Sequence, residues 1–397
     1  MNYIGINKPG ESTVIMIMVP VGAYYESVAN LGIAHFLEHM LFKGTVKRPK
    51  NKVDEEIEDV GGEINAFTDW EMTAYYAKIA NRYTQKAAIA LTDMVFNATF
   101  PAKEVDKERN VIIQEMKMYE DRPTAVAESL FYGARYSNRF KVDIVGTEKT
   151  LYNTQRKDLV AFRDKHYTKQ NAIMIAVGNV DNQFSDYKIS EDYIIKTNNY
   201  LTNPIENKFF VERDLQQANL VIGNDVELPD ESFYILDVLS SIYNDMNGRL
   251  FKVIREKYGM VYGISFGVST RSNGHYEWQV TLGLEKKNIK RAQELIIKEL
   301  TRPVSDIELK RGILKTTGST ALYLDSNYRL ASLILSRARM GKNWKDYGDY
   351  VNQYKTSLKE INTLIKQFNF EDHIIAGVIP KKNKNNLDQF AENMLYL

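Results

Sequence analysis

Cysteine is absent from this chain of 397 residues, and long hydrophobic runs are missing as well. Without cysteine the chain forms no disulfide and offers no thiolate to a metal. No apolar run approaches the roughly 18 residues that a membrane-spanning helix requires, so we predict no membrane span. The formal net charge of +1 gives no reason to expect nucleic acid as a partner. No signal or transit peptide pattern is visible, and the expected location is cytoplasmic.

Histidine is also scarce, with 5 in the chain, yet two of them belong to one compact motif. His35, Glu38 and His39 form the pattern H-x-x-E-H inside a predicted helix over about residues 27–43. Positions i and i+4 lie one turn apart on a helix face, so both imidazoles can reach one metal ion. Glu38 lies close to that face, where a carboxylate can serve as a general base. The motif indicates a zinc peptidase; an amphipathic helix with surface histidines is the alternative.

A zinc site needs a third protein ligand, and a carboxylate is the better candidate. Three histidines lie outside any such motif: His166, His275 and His373. Residues 102–120 are predicted to form a helix, and Glu108 and Glu115 are two turns apart on one face of it. Because Glu115 stands among apolar residues, it is predicted to face the interior, where a carboxylate needs a metal or an ion pair. A salt bridge to a lysine or arginine is the alternative.

Together these features resemble the inverted zinc peptidases of the pitrilysin, insulin-degrading enzyme and mitochondrial processing peptidase family. The segments 32–34 (GIA) and 42–45 (FKGT) fit the family's sequence on either side of the motif. The family carries its third ligand in a downstream E-x6-E helix, and here residues 40–114 separate His39 from Glu115. The resemblance implies one Zn²⁺ per chain, with ligands His35, His39 and Glu115, general base Glu38, and Glu108 orienting a ligand histidine.

A second resemblance to the same family covers residues 61–68, GGEINAFT, which match its segment G-G-x-x-N-A-x-T. It implies that Asn65, Ala66 and Phe67 belong to an edge strand that binds an extended peptide substrate. Strand addition suits a peptidase because backbone hydrogen bonds accept many sequences. For Asn65, a plain turn residue is the alternative.

The second half of the chain is predicted to repeat the first in outline, without the metal motif. A polar, Asn-rich stretch over 182–207 marks the boundary between a catalytic zinc-binding domain, 1–200, and a similar second domain, 207–397. The family has an arginine and a tyrosine in a context like R-E-K-x-G-x-x-Y, matched here by Arg255 and Tyr262. The resemblance implies that they reach the active site, the tyrosine donating to an oxyanion and the arginine holding substrate. Otherwise they are a surface charge and a half-buried strand residue.

The fold implied by the resemblance is α+β, with two related domains, each a mainly antiparallel sheet with helices packed on one side. The segment before the first buried strand, 1–10, is short, which leaves open whether the first strand of the fold is abbreviated. Residues 305–340 are predicted to be helical. The implied function is a zinc-dependent endopeptidase that hydrolyses peptides or unfolded segments through a metal-activated water. A homodimer that forms a closed chamber is expected. A heterodimer is the alternative assembly. The alternative is a non-catalytic binding or assembly subunit of a heteromeric processing complex.

Overall fold

A computed structural model describes residues 1–135, 143–180, 184, 188–189, 208–229, 232–270, 275–339 and 344–381. It contains two separate sheets, one formed by the first half of the chain and one by the second. The domain boundary predicted between residues 200 and 207 lies outside the described residues.

The first sheet has six strands in the order β3-β4-β2-β5-β1-β6. The strands are β1 (Asn2–Asn7), β2 (Ser12–Val19), β3 (Glu63–Thr68), β4 (Thr73–Ala80), β5 (Ile173–Gly178) and β6 (Lys188–Ile189). Antiparallel pairs join β3, β4, β2 and β5, while β1 pairs in parallel with β5 and β6. The first strand, β1, has six residues and pairs with β5 over all of them.

Seven α-helices accompany the first sheet in the described part of the first half. They are α1 (Ile33–Leu41), α2 (Lys52–Glu58), α3 (Thr84–Asn97), α4 (Ala102–Glu120), α5 (Pro123–Arg135), α6 (Glu148–Asn153) and α7 (Arg156–His166). The motif helix α1 begins later than predicted, because two short 3-10 turns precede it. Gly32 marks its start with φ of 90°, and a Cβ there would lie 2.3 Å from the carbonyl oxygen of Val145. Glycine alone therefore fits this position without strain.

The second sheet has five strands in the order β7-β11-β8-β10-β9. These are β7 (Lys208–Arg213), β8 (Ala218–Glu227), β9 (Val261–Thr270), β10 (His275–Leu284) and β11 (Ile374–Pro380). The described helices of this half are α8 (Ser232–Tyr243), a π-helix (Phe251–Lys257), α9 (Ile289–Thr301), α10 (Asp306–Leu324), α11 (Asn327–Arg339), α12 (Tyr350–Gln353) and α13 (Leu358–Gln367). No helix in the described parts of the chain combines the length and apolar character needed to cross a bilayer.

The long helix predicted over 305–340 is two helices, α10 and α11, with a break at Asp325 and Ser326. Contacts to the first half fix this break. Lys8 donates through Nζ to the carbonyl oxygen of Asp325 at 2.6 Å, and Asn327 donates through Nδ2 to that of Ser12 at 2.7 Å. The chain therefore turns at this point toward the first sheet.

Each sheet is covered on its outer face by a helix from the other half. Helix α11 packs Leu330, Ala331, Ile334 and Leu335 against the outer side chains of the first sheet. Helix α5 packs Ala127, Phe131 and Ala134 against β8 and β11 of the second sheet. The inner faces are covered by each half's own helices, including α1 and α4 in the first and α8 and α9 in the second. The α+β class with two related sheets is confirmed. The two halves are joined because each contributes one helix, α5 or α11, that packs on the sheet of the other half; we call this the exchange of α5 and α11.

Candidate metal centre and active site

Three side chains meet at the contact between α1 and α4. The Nε2 atoms of His35 and His39 are 3.3 Å apart. One carboxylate oxygen of Glu115 lies 3.7 Å from the first of these nitrogens and 3.4 Å from the second. Ligand atoms of a tetrahedral zinc site are about 3.3–3.5 Å apart at ordinary zinc–ligand bond lengths. The donor set and its spacing therefore fit zinc, and within the described residues no other His, Cys, Asp and Glu group qualifies.

The start of α1 is held by Glu26, a buried residue that sequence analysis missed. Its two carboxylate oxygens accept hydrogen bonds from the backbone N–H of Gly32 at 2.8 Å and of Ala34 at 2.9 Å. These donors have no partner within the helix, and a negative charge is favourable at a helix N-terminus. Glu26 thereby fixes the beginning of the helix that presents both histidines. An acidic residue six positions before a glycine is too common a pattern to have revealed this role from sequence.

Glu108 fixes the orientation of His39. Nδ1 of His39 donates to one oxygen of Glu108 at 2.9 Å, and Nζ of Lys43 lies 2.7 Å from the other oxygen. In a neutral His39, a proton held on Nδ1 leaves the Nε2 lone pair free to bind a metal ion. By contrast, Nδ1 of His35 is buried with no hydrogen-bond partner among the described residues. Of these two histidines, therefore, only His39 has a hydrogen bond at Nδ1, among the described residues, that fixes the orientation of its ring.

The pKa values of His35, His39 and Glu115 are shifted in different directions. Burial lowers the pKa of His35 to about 4, and the neighbouring His39 adds to the effect. Burial alone would also lower the pKa of His39, but hydrogen bonds to Glu108 and Glu115 raise it to about 9. The hydrogen bond from His39 holds the pKa of Glu115 below its ordinary value. Two carboxylates thus concentrate negative charge where a cation would be bound.

Glu38 stands beside this cluster with a partner of its own. One of its carboxylate oxygens accepts a hydrogen bond of 2.5 Å from the hydroxyl of Thr68, the last residue of β3. Burial raises the pKa of Glu38, while the Thr68 hydrogen bond opposes that rise. A carboxylate with a raised pKa is better suited to accept and return a proton near neutral pH. Thr68 was noted in the sequence as part of a segment, but its contact with Glu38 was not predicted.

The predicted substrate-binding residues lie in an edge strand. Asn65, Ala66 and Phe67 belong to β3, which pairs with β4 on one side and has no other strand partner in the described structure. Asn65 is paired with Tyr76, so it is a strand residue and not a turn residue. Its side-chain oxygen accepts a hydrogen bond from the backbone N–H of Ala66 at 2.8 Å. An open edge next to the metal cluster is suited to pairing with an extended peptide.

A cavity of about 500 Å³ opens beside the cluster and gives it access from solvent. Its lining includes His35, Glu115, Thr68, Trp70, Tyr119 and Tyr132. Aromatic walls next to polar groups are typical of ligand-binding pockets. The cavity therefore has room for part of a substrate next to the predicted ligands.

Arg255 and Tyr262 contact each other in the second half. The Arg255 guanidinium lies over the Tyr262 ring at 4.9 Å from its centroid, and 83% of Tyr262 is exposed. Arg255 lies in the π-helix and Tyr262 near the start of β9, as the predicted helix-to-strand change requires. Among the described residues no contact joins this pair to the histidines or to Glu115. Its catalytic role stays a prediction.

The fold and the site together define a two-sheet α+β protein with a His-His-Glu cluster whose geometry fits a metal ion. Residues 4–148 match the family model described as insulinase, peptidase family M16. Residues 153–308 match the model described as the peptidase M16 inactive domain. The chain belongs to the M16 peptidase family, in agreement with the resemblance inferred from its motifs.

Relatives of this chain are described as proteases or processing-peptidase subunits. It is 30% identical to an uncharacterized zinc protease, YmxG, of Bacillus subtilis, with 95% of each chain covered. It is 36% identical over 165 residues to the beta subunit of the mouse mitochondrial-processing peptidase, covering 41% of this chain and 34% of that protein. A protease from Helicobacter pylori has the same fold, with a TM-score of 0.84 at 17% identity, covering 95% of this chain and 96% of that one. Relatives that match most of this chain, such as YmxG, are thus described as uncharacterized zinc proteases.

Proposed function

We propose that this protein is a zinc-dependent endopeptidase that hydrolyses peptides or unfolded segments. The observation that carries the proposal is the triangle of ligand atoms from His35, His39 and Glu115, with Glu38 beside it. Two imidazoles and one carboxylate leave one position of a tetrahedral zinc site open, as in catalytic sites. A bound zinc ion would supply Lewis acidity and lower the pKa of water.

Glu38 would then be the general base and general acid. It takes a proton from the water molecule that attacks the scissile carbonyl, and it returns a proton to the leaving amine. Its raised pKa favours this exchange, and the Thr68 hydroxyl holds one of its oxygens in place. Glu108 keeps the proton of His39 on Nδ1, so that Nε2 stays available to the metal.

The substrate would bind as an extended strand along β3. Backbone groups of residues 65–67 would pair with the peptide, which explains how one site could accept different sequences. The exposed Tyr262 would donate to the oxyanion that forms at the reacting carbonyl, and its partner Arg255 would hold substrate backbone or a carboxylate. In this proposal the first domain, 1–200, carries the zinc chemistry and the second, 207–397, contributes this pair. Pairing of two copies would enclose the substrate in a chamber.

The experiment is cleavage of a mixed library of short peptides by zinc-loaded wild type and by Glu38→Gln. The variant should retain zinc and lose activity by at least about 10²–10⁴-fold, as expected for loss of a general base. The control is Glu55→Gln, which alters an exposed carboxylate on α2 and should leave the rate unchanged. Equal activity of wild type and Glu38→Gln would disprove the mechanism. Inactivity of both would favour the binding or assembly subunit.

A further inference from the structure

We infer that Arg339, a residue of the second half, is a positioning residue for Glu38. It holds the turn between β3 and β4, and that turn places the Thr68 hydroxyl that binds Glu38. The inference rests on the proposed function, since Glu38 acts as a base only if the protein is a hydrolase. The structure supports it through three consecutive contacts.

The first contact is the hydrogen bond from Thr68 to Glu38. At 2.5 Å it is short, and Glu38 itself is buried. The Thr68 hydroxyl also lies 3.5 Å from that of Thr73, which donates to the carbonyl oxygen of Val21 at 2.9 Å. Thr68 is the last residue of β3, so the direction of its side chain depends on the turn that follows.

The second contact is inside the turn. One carboxylate oxygen of Asp69 accepts hydrogen bonds from the backbone N–H groups of Glu71 and Met72, both at 2.7 Å. The backbone N–H of Asp69 donates to the carbonyl oxygen of Met72 at 2.8 Å. An aspartate that binds the backbone two and three residues ahead fixes the shape of a turn. One oxygen of the Asp69 side chain thus fixes the turn, and the second oxygen is available to a residue outside the turn.

The third contact crosses between the two halves. Nη1 of Arg339 lies 3.2 Å from the second carboxylate oxygen of Asp69 and 3.2 Å from an oxygen of Glu71. Its Nη2 donates to the carbonyl oxygen of Thr270, the last residue of β9, at 2.9 Å. The side chains of Arg339 and Glu71 are only 12% and 5% exposed, so loss of the guanidinium would leave a buried carboxylate without this counter-charge. Asp69 and Glu71 would then repel each other within the turn.

The chain supplies a matched control at the equivalent place of the first half. Arg135 is the last residue of α5, as Arg339 is the last residue of α11, and both helices have 13 residues. Its Nη2 lies 2.6 Å from Asp225 in β8, with side chains 7% and 12% exposed. Arg135→Met therefore removes a buried ion pair between the halves without touching the turn next to Thr68. Any general effect of loosening the two halves should appear in both variants.

The experiment compares zinc-loaded wild type with Arg339→Met, Thr68→Val, the double variant and Arg135→Met. Thr68→Val should lower kcat by about ten- to a hundredfold, the usual effect of losing a hydrogen bond to a charged group. Arg339→Met should lower kcat by about three- to thirtyfold with little change in KM. In the Thr68→Val background the Arg339→Met effect should largely disappear, because both changes act on one path. Arg339→Lys should recover part of the loss, and Arg135→Met should leave kcat unchanged.

Two measurements do not depend on activity. Amide hydrogen exchange of Asp69, Ala23 and Tyr24, which are hydrogen-bonded in or onto the turn, should accelerate by about tenfold in Arg339→Met and stay unchanged in Arg135→Met. A crystal structure of Arg339→Met should show the Thr68 hydroxyl moved out of hydrogen-bond distance from Glu38. If wild type cleaves no peptide, the proposed function fails, while these two measurements still decide whether Arg339 positions Glu38. Unchanged exchange and an unchanged Thr68–Glu38 contact would overturn the inference, as would equal losses of kcat in Arg339→Met and Arg135→Met.

Discussion

Each half of the molecule has an equivalent pair of consecutive helices, and the two pairs differ in the residues that they place at their contacts. Helices α4 and α10 both have 19 residues, and the helices that follow them, α5 and α11, both have 13. Glu108 is the seventh residue of α4 and faces His39 on α1. The seventh residue of α10 is Gly312, where an added Cβ would lie 2.7 Å from Cγ1 of Ile242 on α8. Where Glu115 stands in α4, α10 has Ser319.

This difference shows what a cluster of polar side chains requires of the scaffold. In the second half a glycine lets two helices approach closely, and the contact is packed with apolar groups such as Val238 and Ile242. In the first half the equivalent contact contains two histidines and two carboxylates, which are costly to bury unless they are paired or bind a metal. We therefore expect the first half to gain stability from zinc and the second half to be independent of it.

The largest effect should come from removing a predicted ligand. At a zinc concentration a thousand times Kd, the metal should stabilise wild type by about 4 kcal/mol, and His39→Ala should abolish this gain. The control in the second half is His373→Ala, since His373 is hydrogen-bonded to Phe370 and Gln293 and not to the cluster. Thermal unfolding with and without zinc measures both. A zinc response lost in His373→Ala would contradict the assignment of the metal to the first half.

The next largest effect should come from Glu108, which is hydrogen-bonded to the predicted ligand His39. Glu108→Gln should weaken zinc binding by about 10–100-fold, because His39 loses the partner that fixes its tautomer and orientation. Competition with a chelator measures the affinity. Glu104→Gln, one turn earlier on α4 and paired with Lys50, is the control and should bind zinc like wild type. Equal affinities of all three proteins would show that Glu108 does not support the site.

A smaller effect should distinguish two glycines of α10. Gly312→Ala should destabilise the protein by about 1–3 kcal/mol, since the new methyl group must displace the fully buried Ile242. Gly318→Ala is the control, because an added Cβ there meets no atom within 4 Å. It should stabilise the protein by up to about 1 kcal/mol through helix propensity. Urea unfolding measures both, and a stabilising Gly312→Ala would refute the close contact of α8 and α10.

The smallest effect should be a difference between the halves in acid. Burial, assisted by Lys165, lowers the pKa of His166 in α7 from 6.5 to about 4. The unfolded chain therefore binds more protons between these pH values, and stability should fall as pH drops from 6.5 toward 4. Because His166 is only half-buried, we expect a loss of about 1–2 kcal/mol. His166→Gln should flatten this dependence, and an unchanged pH profile would show that His166 does not cause it.

In the second half the corresponding acid effect should come later. Burial alone would raise the pKa of Glu308, but hydrogen bonds from Arg249 and Ser305 hold it far below its ordinary value. A carboxylate of this kind contributes full stability above its unfolded pKa and loses it only as pH falls further. Between pH 6.5 and 5, amide protection corrected for the intrinsic exchange rate should therefore fall in β5 of the first half before it falls in β10 of the second.

Much of the candidate site could be predicted from local sequence. The spacing of His35, Glu38 and His39 fixes their common face once a helix forms, and Glu108 and Glu115 share a face for the same reason. The structure brings these two helix faces together, as the motif and its resemblance predicted. For Arg255 and Tyr262 the sequence indicated a change from helix to strand, and the structure shows their contact with each other. Their catalytic part stays a prediction.

By itself the sequence determined which candidate side chains lie on a common face, because helix and strand periodicities decide this. It could not determine the contacts that depend on elements far apart in the chain. Glu26 at the start of α1, Thr68 on Glu38, and Arg339 on Asp69 follow from no periodicity. The exchange of α5 and α11 between the sheets is also of this kind. Tertiary structure decided these contacts, because they depend on how two packed sheets cover each other's apolar faces.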